Sequence, residues 1–229
     1  MTPHIFGLNP TKTLPDPTYY AEALNGEFRN WAFCEERSQE FKGRWREEVF
    51  EVSKDHPMDL EIGTGNGFHF AHYAKAHPER CFIGLEIKYK PLIQSIRRAI
   101  NEGSTNMRIG RFHASYLDEI FDEGELNHVI IHHPDPWPKK KQWKRRLIQD
   151  DFLEGLHRLQ RPGSRVDFKT DDLPYFEWAL EKFKNSKYGQ LEYTFDLHNS
   201  QFASENFETH FEKIFLKKEQ PIYFLRVFS

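Results

Sequence analysis

Residues 58–76 read MDLEIGTGNGFHFAHYAKA and predict the beginning of an α/β fold. Met58–Ile62 is a short apolar run, and glycines follow it at positions 63, 65 and 67. From position 68 onward, apolar residues recur at helical spacing. This order is typical of a strand, a glycine-rich loop and a helix.

The alternation of strand and helix continues along the chain. We predict seven strands, at residues 58–62, 81–85, 107–112, 126–132, 165–170, 191–198 and 221–228. Helices are predicted at residues 68–76, 88–101, 145–160 and 175–183. Strands separated by helices imply a parallel sheet covered on both faces. The last two strands have no convincing helix between them, so we expect an antiparallel last strand in an α/β, mostly parallel seven-stranded sheet.

Length and charge limit the class of protein. The chain has 229 residues and a formal net charge of −3, with 32 Lys and Arg against 35 Asp and Glu. This excludes a uniformly basic nucleic-acid coat protein. The length suits one main domain, assigned to residues 58–229, preceded by an N-terminal arm at residues 1–57. Within the arm, residues 41–50 predict an exposed helix, because aromatic residues recur at near-helical spacing among charges.

The expected cellular location rests on sequence patterns that we do not find. No apolar run approaches the ~18 residues that cross a bilayer, and the N-terminus lacks the pattern of a signal peptide. The two cysteines, Cys34 and Cys81, have neither metal-binding nor disulfide-framework spacing. We expect a cytoplasmic protein with no membrane contact, either a monomer or a homodimer.

The glycine-rich loop predicts a cofactor site between two acidic strand ends. Its spacing is G-x-G-x-G, whereas dinucleotide-binding loops have G-x-G-x-x-G. Glu61 would repel a pyrophosphate but suits a cationic ligand such as S-adenosylmethionine. Glu86 ends the next strand, where a carboxylate can accept hydrogen bonds from both ribose hydroxyls. The predicted cofactor residues are Glu61, Gly63, Gly65, Gly67 and Glu86.

A stiff, basic loop follows the fourth predicted strand. Residues 134–146 read PDPWPKKKQWKRR, and the three prolines hold Asp135 and Trp137 in extended chain. Six of the eight residues 139–146 are basic, which concentrates positive charge where it could follow a phosphate backbone. The loop lies at the carboxyl edge of the sheet, where open α/β sheets bind ligands. It is therefore the leading candidate for the reacting site.

The spacing of the histidine pairs does not predict a metal site. His132 and His133 are adjacent on a strand and should point to opposite faces of the sheet. His69 and His72 lie three residues apart on a helix without a third ligand nearby. We therefore expect no bound metal.

Two polar segments are expected close to the basic loop. Asp171 follows the fifth strand at the same edge of the sheet and is a candidate ligand, whereas Asp172 is expected to cap the next helix. The second segment, at residues 209–212, reads THFE and precedes the last strand.

With these motifs in view, residues 58–228 resemble the bacterial tRNA (guanine-N7)-methyltransferases of the TrmB type. The most specific element is PDPWPK at residues 134–139, with KRR at residues 144–146. FKTD at residues 168–171 and THFE at residues 209–212 follow in the same order. The resemblance implies a Rossmann-like class I methyltransferase fold, S-adenosylmethionine as donor with S-adenosylhomocysteine as product, and tRNA as partner.

The resemblance also implies roles for particular residues. Around the donor it places Glu61, Glu86, Asp135, His113 and Ala114, with Asp135 also catalytic. Around a target guanosine in the variable loop of tRNA it places Lys139, Asp171, Thr209, His210, Phe211 and Glu212. The residues expected to contact tRNA are Lys141, Lys144, Arg145 and Arg146. The pair His113 and Ala114 departs from the family, which usually has an acidic or amide residue before the alanine.

Two other functions remain open at this stage. One is a protein of methyltransferase fold that binds RNA without catalysis, and the other is an NAD-dependent oxidoreductase. Methylation of bulk tRNA would exclude the first, and NAD binding would favour the second. A methyltransferase of small molecules would leave the basic cluster at residues 139–146 without a purpose.

Overall fold

The computed structural model describes residues 18–229, which contain one mixed β-sheet. Its strands are β1 Ala32–Phe33, β2 Met58–Ile62, β3 Cys81–Leu85, β4 Met107–Gly110, β5 Val129–His132, β6 Arg165–Thr170, β7 Leu191–Thr194 and β8 Tyr223–Phe228. Their order across the sheet is β1-β4-β3-β2-β5-β6-β8-β7. Strand β8 is antiparallel to both β6 and β7, and the other pairings are parallel. The α/β class and the antiparallel last strand are confirmed, but the sheet has eight strands instead of seven.

Helices cover both faces of this sheet. The α-helices are α1 Thr18–Asn25, α2 Glu35–Glu40, α3 Phe68–Ala76, α4 Tyr89–Asn101, α5 Asp150–Leu159, α6 Leu173–Lys184 and α7 His210–Leu216. A π-helix occupies Trp45–Val49, and 3₁₀ helices occupy Ala114–Glu119, Lys140–Arg145, Leu197–Asn199 and Ala203–Glu205. Strands β2 and β3 are buried along their whole length, as expected for parallel strands between two helical layers.

The additional strand comes from the N-terminal arm. Ala32 and Phe33 of β1 pair in parallel with Ile109 and Gly110 of β4, so residues 18–57 pack onto the domain. The helix expected at residues 41–50 is present only as the π-helix Trp45–Val49, and its expected exposure is wrong. The Trp45 side chain is buried, and its indole N–H donates a hydrogen bond to the carbonyl oxygen of Ile120 at 2.7 Å. Burial of this large ring outweighs the exposure suggested by the neighbouring charges.

Two of the predicted helix positions need correction. Helix α5 begins at Asp150 and not near residue 145. The basic residues before it form a separate 3₁₀ helix. Asp150 places an acidic side chain in the first turn of α5, where the helix dipole favours negative charge. Helix α7 lies between β7 and β8, where no helix was expected. Between residues 18 and 229, no helix combines the length and the apolar character that crossing a membrane requires.

Candidate active site

The predicted functional residues come together where the central strands end. Glu61 lies near the carboxyl end of β2 and Glu86 directly follows β3. The loop containing Asp135 follows β5, and Asp171 directly follows β6. Because β2 pairs with both β3 and β5, and β5 pairs with β6, these four chain ends lie along one edge of the sheet.

The glycine-rich loop leaves room for a ligand on one side and packs tightly on the other. Gly63, Gly65 and Gly67 all have positive φ, at +79°, +53° and +75°. A Cβ at Gly63 or Gly65 would meet no atom within 4 Å, so the loop borders open space. A Cβ at Gly67 would instead lie 2.3 Å from the Cα of Ser95 in α4. The first two glycines thus allow close approach of a ligand, and the third allows the approach of α3 to α4.

Glu86 is tied to the backbone of the same loop. Its carboxylate accepts a hydrogen bond from the N–H of Gly65 at 3.0 Å and another from the N–H of Lys88 at 2.9 Å. Burial raises the pKa of Glu86, and these backbone hydrogen bonds partly oppose that rise. Each carboxylate oxygen retains a lone pair, so the side chain is fixed and can still accept the hydroxyls of a ribose.

Glu61 is enclosed by histidines. It is 2% exposed, and its Oε2 atom lies 2.9 Å from Nδ1 of His69 in α3. The imidazole of His132 packs edge-on against that of His69, with 4.4 Å between ring centroids. Glu61, His69 and His132 each offer one ligand atom within 4.8 Å of the others. The expectation that His69 lacks a third ligand nearby is therefore wrong, because His132 and Glu61 reach it from neighbouring strands.

His113, the residue that departs from the family pattern, is engaged locally. Its Nδ1 atom accepts a hydrogen bond from the N–H of Ser115 at 3.2 Å and so caps the 3₁₀ helix that begins at Ala114. Burial lowers the pKa of His113, which keeps the ring neutral as this acceptor role requires. A role of His113 and Ala114 in binding adenine stays a prediction.

The loop after β5 is held in position by Arg146. Its guanidinium donates to the carbonyl oxygens of Pro136 at 2.9 Å and Pro174 at 3.3 Å. It also lies over the ring of Trp143, 4.5 Å from its centroid. Arg146 is 2% exposed, so the structure places it beneath the surface, and its contact with tRNA stays a prediction. Arg146 connects the proline-rich loop to the start of α6.

The remaining basic residues of this segment do face outward. Lys139, Lys141, Lys144 and Arg145 are all exposed, and so is Asp135. The guanidinium of Arg145 lies 5.1 Å from the ring centroid of Trp137. The surface beside Asp135 therefore carries positive charge that a polyanion can reach.

Asp171 and Asp172 have separate roles. Asp172 accepts a hydrogen bond from the N–H of Tyr175 at 2.8 Å and caps α6, as predicted. Asp171 is 31% exposed, and its Oδ1 atom lies 3.0 Å from Nδ1 of His133. The His133 ring thus fixes one carboxylate oxygen and leaves the other able to accept a hydrogen bond from a ligand.

Glu212, which was expected near the guanosine, lies beneath this surface. It is 0% exposed, and its carboxylate contacts Nζ of Lys169 at 2.5 Å, Nδ2 of Asn206 at 2.8 Å and the N–H of Thr209 at 3.1 Å. The Thr209 hydroxyl accepts from the N–H of Glu212 and caps α7. The structure thus gives Glu212 buried partners and makes Thr209 a helix cap, and their contact with a guanosine stays a prediction. The side chains of His210 and Phe211 lie outside the described part of the chain.

Lys169 was missed although its segment was singled out. It lies near the carboxyl end of β6 and is buried among Asn206, Phe207 and Glu212. Its signal in the sequence is a lysine in an otherwise buried strand, because a buried cation requires a partner.

Comparisons with known proteins agree with this arrangement. A family model described as a putative methyltransferase matches residues 55–225. A tRNA (guanine-N(7)-)-methyltransferase of Bdellovibrio bacteriovorus is 52% identical over 205 residues, which cover 90% of this chain and 98% of that protein. A protein of the same name from Listeria monocytogenes serotype 4b is 40% identical over 188 residues, covering 81% of this chain and 85% of that protein.

Solved structures show the same fold at low sequence identity. The 16S rRNA methyltransferase KamB has a TM-score of 0.56 and 16% identity, with 79% of this chain and 93% of that chain covered. An antibiotic-related methyltransferase has a TM-score of 0.54 and 17% identity, with 77% and 88% covered. These structures support a Rossmann-like class I methyltransferase fold. The extent of the family match and the identity to the curated relatives show that the chain belongs to the family of bacterial tRNA (guanine-N7)-methyltransferases, the TrmB type.

Proposed function

We propose that this chain transfers a methyl group from S-adenosylmethionine to N7 of a guanosine in tRNA. The observation that carries the proposal is the convergence of Glu61, Glu86, Asp135 and Asp171 at one edge of the sheet, next to an exposed basic surface. The tRNA (guanine-N(7)-)-methyltransferase names of the relatives support the substrate and the reaction. Membership of this family does not favour an oxidoreductase.

The donor would bind across the glycine-rich loop. Open space beside Gly63 and Gly65 fits a ligand that approaches the backbone closely, and the Glu86 carboxylate is fixed to accept ribose hydroxyls. The carboxylate of Glu61 suits the positively charged part of the donor. When bound, S-adenosylmethionine supplies an electrophilic methyl group, and the chain supplies alignment and a negative electrostatic environment.

The target base is expected at Asp135 and Asp171. Guanine N7 has an in-plane lone pair and no proton to lose, so the reaction needs alignment more than a general base. Asp171, oriented by His133, can accept hydrogen bonds from the N1–H or amino group of guanine, which adenine cannot offer in the same arrangement. Asp135 adds negative charge close to a reaction in which positive charge moves to the base.

The phosphate backbone of the tRNA would bind beside this site. Lys139 would lie next to the target base, and the exposed side chains of Lys141, Lys144 and Arg145 would contact tRNA phosphates. Because the proposed substrate is tRNA, we propose that the enzyme acts in the cytoplasm.

The test is a methylation assay with nucleoside analysis. Purified protein is incubated with labelled S-adenosylmethionine and unmodified tRNA, and the tRNA is digested to nucleosides. We expect label in 7-methylguanosine, and we expect Asp135→Asn to lower the rate while leaving the fold intact. Label in another nucleoside, or tRNA binding without any methylation, would contradict the proposal.

A further inference from the structure

A hydrogen bond joins the two ends of the glycine-rich loop. Glu61 lies near the end of β2, before the loop, and His69 lies in the first turn of α3, after it. Oε2 of Glu61 is 2.9 Å from Nδ1 of His69. An ionised carboxylate only accepts hydrogen bonds, so Nδ1 carries the hydrogen and donates it. The bond therefore ties β2 to α3 across the loop of residues 63–67.

The backbone of this loop benefits from such a restraint. Its three glycines have positive φ, and glycine loses more conformational freedom on folding than any other residue. The N–H of Gly65 donates to Glu86 at 3.0 Å, which fixes the middle of the loop. The bond between His69 and Glu61 fixes its two ends. A loop that is already held in its binding conformation loses less entropy when a ligand binds, and this favours affinity.

The His69 ring is itself held by two neighbouring rings. His132 of β5 packs edge-on against it, with 4.4 Å between ring centroids, and the ring of Phe207 lies 6.0 Å away. The His69 side chain is 11% exposed, so it has little room to rotate. Burial and the charge of Lys169 lower the pKa of His132 well below its ordinary value. His132 is therefore neutral, and its packing adds no positive charge beside the carboxylate.

The Glu61 carboxylate keeps one oxygen for a ligand. Within residues 18–229, His69 is the only residue that hydrogen-bonds to this carboxylate, and it engages Oε2. Lys169 attracts Glu61 electrostatically, but its Nζ atom contacts Oε1 of Glu212, at 2.5 Å. No lysine or arginine in the described part of the chain forms an ion pair with Glu61. Its Oε1 atom can therefore meet the positively charged part of the donor.

We propose that His69 is a positioning residue of the donor site, which holds Glu61 and the glycine-rich loop in the conformation that binds S-adenosylmethionine. The inference rests on the proposed function, because His69 acts through the contact of Glu61 with the donor. His69 itself does not touch the reacting atoms. Loss of its N–H group should lower the affinity for the donor and leave the affinity for tRNA unchanged.

The experiment measures S-adenosylmethionine binding by calorimetric titration of the full chain. His69→Leu removes the N–H donor, whereas His69→Asn places an amide N–H close to the position of Nδ1. The matched control is His72→Leu, three residues further along α3. It removes an imidazole that stacks on Phe207, at 4.1 Å between ring centroids. Glu61→Ala and the double variant with His69→Leu complete a mutant cycle.

We expect His69→Leu to bind the donor about tenfold more weakly than the wild type, because a hydrogen bond to a charged group contributes at least this much. His69→Asn should recover most of the loss, and His72→Leu should bind as the wild type does. Adding His69→Leu to Glu61→Ala should weaken binding no further, because His69 acts through that carboxylate. In the methylation assay, His69→Leu should raise KM for the donor and leave KM for tRNA unchanged.

Each opposite result has its own meaning. If Glu61→Ala binds weakly but His69→Leu binds as the wild type does, the inference is overturned and the donor site stands. Wild-type affinity of Glu61→Ala would overturn both the inference and the proposed contact of Glu61 with the donor. Equal losses in His69→Leu and His69→Asn, or additive losses in the double variant, would overturn the inference alone. Melting temperatures show whether each variant is folded, and His69→Ala replaces the leucine variant if that one does not fold.

Discussion

Lys169 of strand β6 and Glu212 of helix α7 form an enclosed ion pair, with 2.5 Å between Nζ and Oε1. Both side chains are almost fully buried, and Asn206 hydrogen-bonds to both. Burial alone would raise the pKa of Glu212, but the nearby His133 ring, 3.9 Å from Oε1, and the charge of Lys169 hold it well below its usual value. The pair joins the end of the sheet to the segment before β8, directly beneath Asp171 and His133.

Removing one partner of this pair should destabilise the protein strongly. Lys169→Ala leaves the Glu212 carboxylate buried without its cation, so we expect a loss of about 3–5 kcal/mol in the free energy of unfolding. The control is Lys187→Ala, which removes the exposed pair with Glu154 and should leave the free energy of unfolding unchanged. Urea denaturation measures both. Similar stability of Lys169→Ala and the control would show that the buried pair does not hold α7 to the sheet.

The loss of stability in acid should depend on Asp167. Burial alone would raise its pKa, but the charge of His128 and the hydrogen bonds of Arg226 hold it well below the ordinary value of 3.8. A lowered folded-state pKa stabilises the protein above the unfolded-state pKa, and this contribution is lost as pH falls through the folded-state value. Asp167→Asn should therefore lose less stability than the wild type between neutral pH and about pH 3.

Urea midpoints measured across that pH range provide the test. Asp118→Asn, at an exposed position, is the control and should keep the wild-type pH dependence. If Asp167→Asn shows the same acid loss as the wild type, Asp167 does not carry this part of the pH dependence.

Alanine substitutions at Gly67 and Gly163 distinguish the cost of backbone strain from the cost of a steric clash. Both have φ near +75°, at +75° and +77°, but an added Cβ at Gly163 meets nothing within 4 Å. Gly163→Ala should cost about 1–2 kcal/mol for the left-handed conformation alone. Gly67→Ala should cost clearly more, because its Cβ would collide with the backbone of α4. Thermal unfolding compares them, and equal losses would contradict the close approach of α3 to α4.

Arg146 and Lys144 should affect tRNA binding differently. Lys144 is exposed, so Lys144→Ala should make the dependence of log affinity on log salt concentration shallower by about 0.7–0.9, corresponding to one phosphate contact. Arg146→Ala should leave this slope unchanged but lower the melting temperature, because Arg146 holds the loop at Pro136. Filter binding over a range of salt concentrations measures the slopes. The opposite pattern would place Arg146 at the RNA surface.

Local patterns were sufficient for most of the sheet. Strands β2, β3 and β6 lie where the sequence predicts them. Strand β3 is a continuous apolar run, as expected for a buried parallel strand, whereas apolar and polar residues largely alternate in β2 and β6. The two-residue strand β1 was not predictable, since it exists only through its pairing with β4. Helix α7 is not predicted by apolar spacing, although THFE at its start fits a capping box.

The sequence predicts where the site lies, but not which of its side chains are buried. The ends of β2, β3, β5 and β6 meet as the topology requires, so the acidic residues there share one edge. Burial decides which side chains can reach a ligand, and sequence spacing does not report it. Arg146 and Glu212 therefore fall below the surface, while Asp135 and Asp171 remain accessible.

The central claim, that acidic strand ends hold the methyl donor, is tested most directly by calorimetric titration of S-adenosylmethionine. We predict one binding site per chain in the wild type. Glu86→Gln should bind at least about tenfold more weakly, since a hydrogen bond to a charged group contributes about 1.5–3 kcal/mol. Glu154→Gln, which changes an exposed carboxylate, should bind as the wild type does. Absence of donor binding by the wild type, or equal affinity of Glu86→Gln and wild type, would contradict the account.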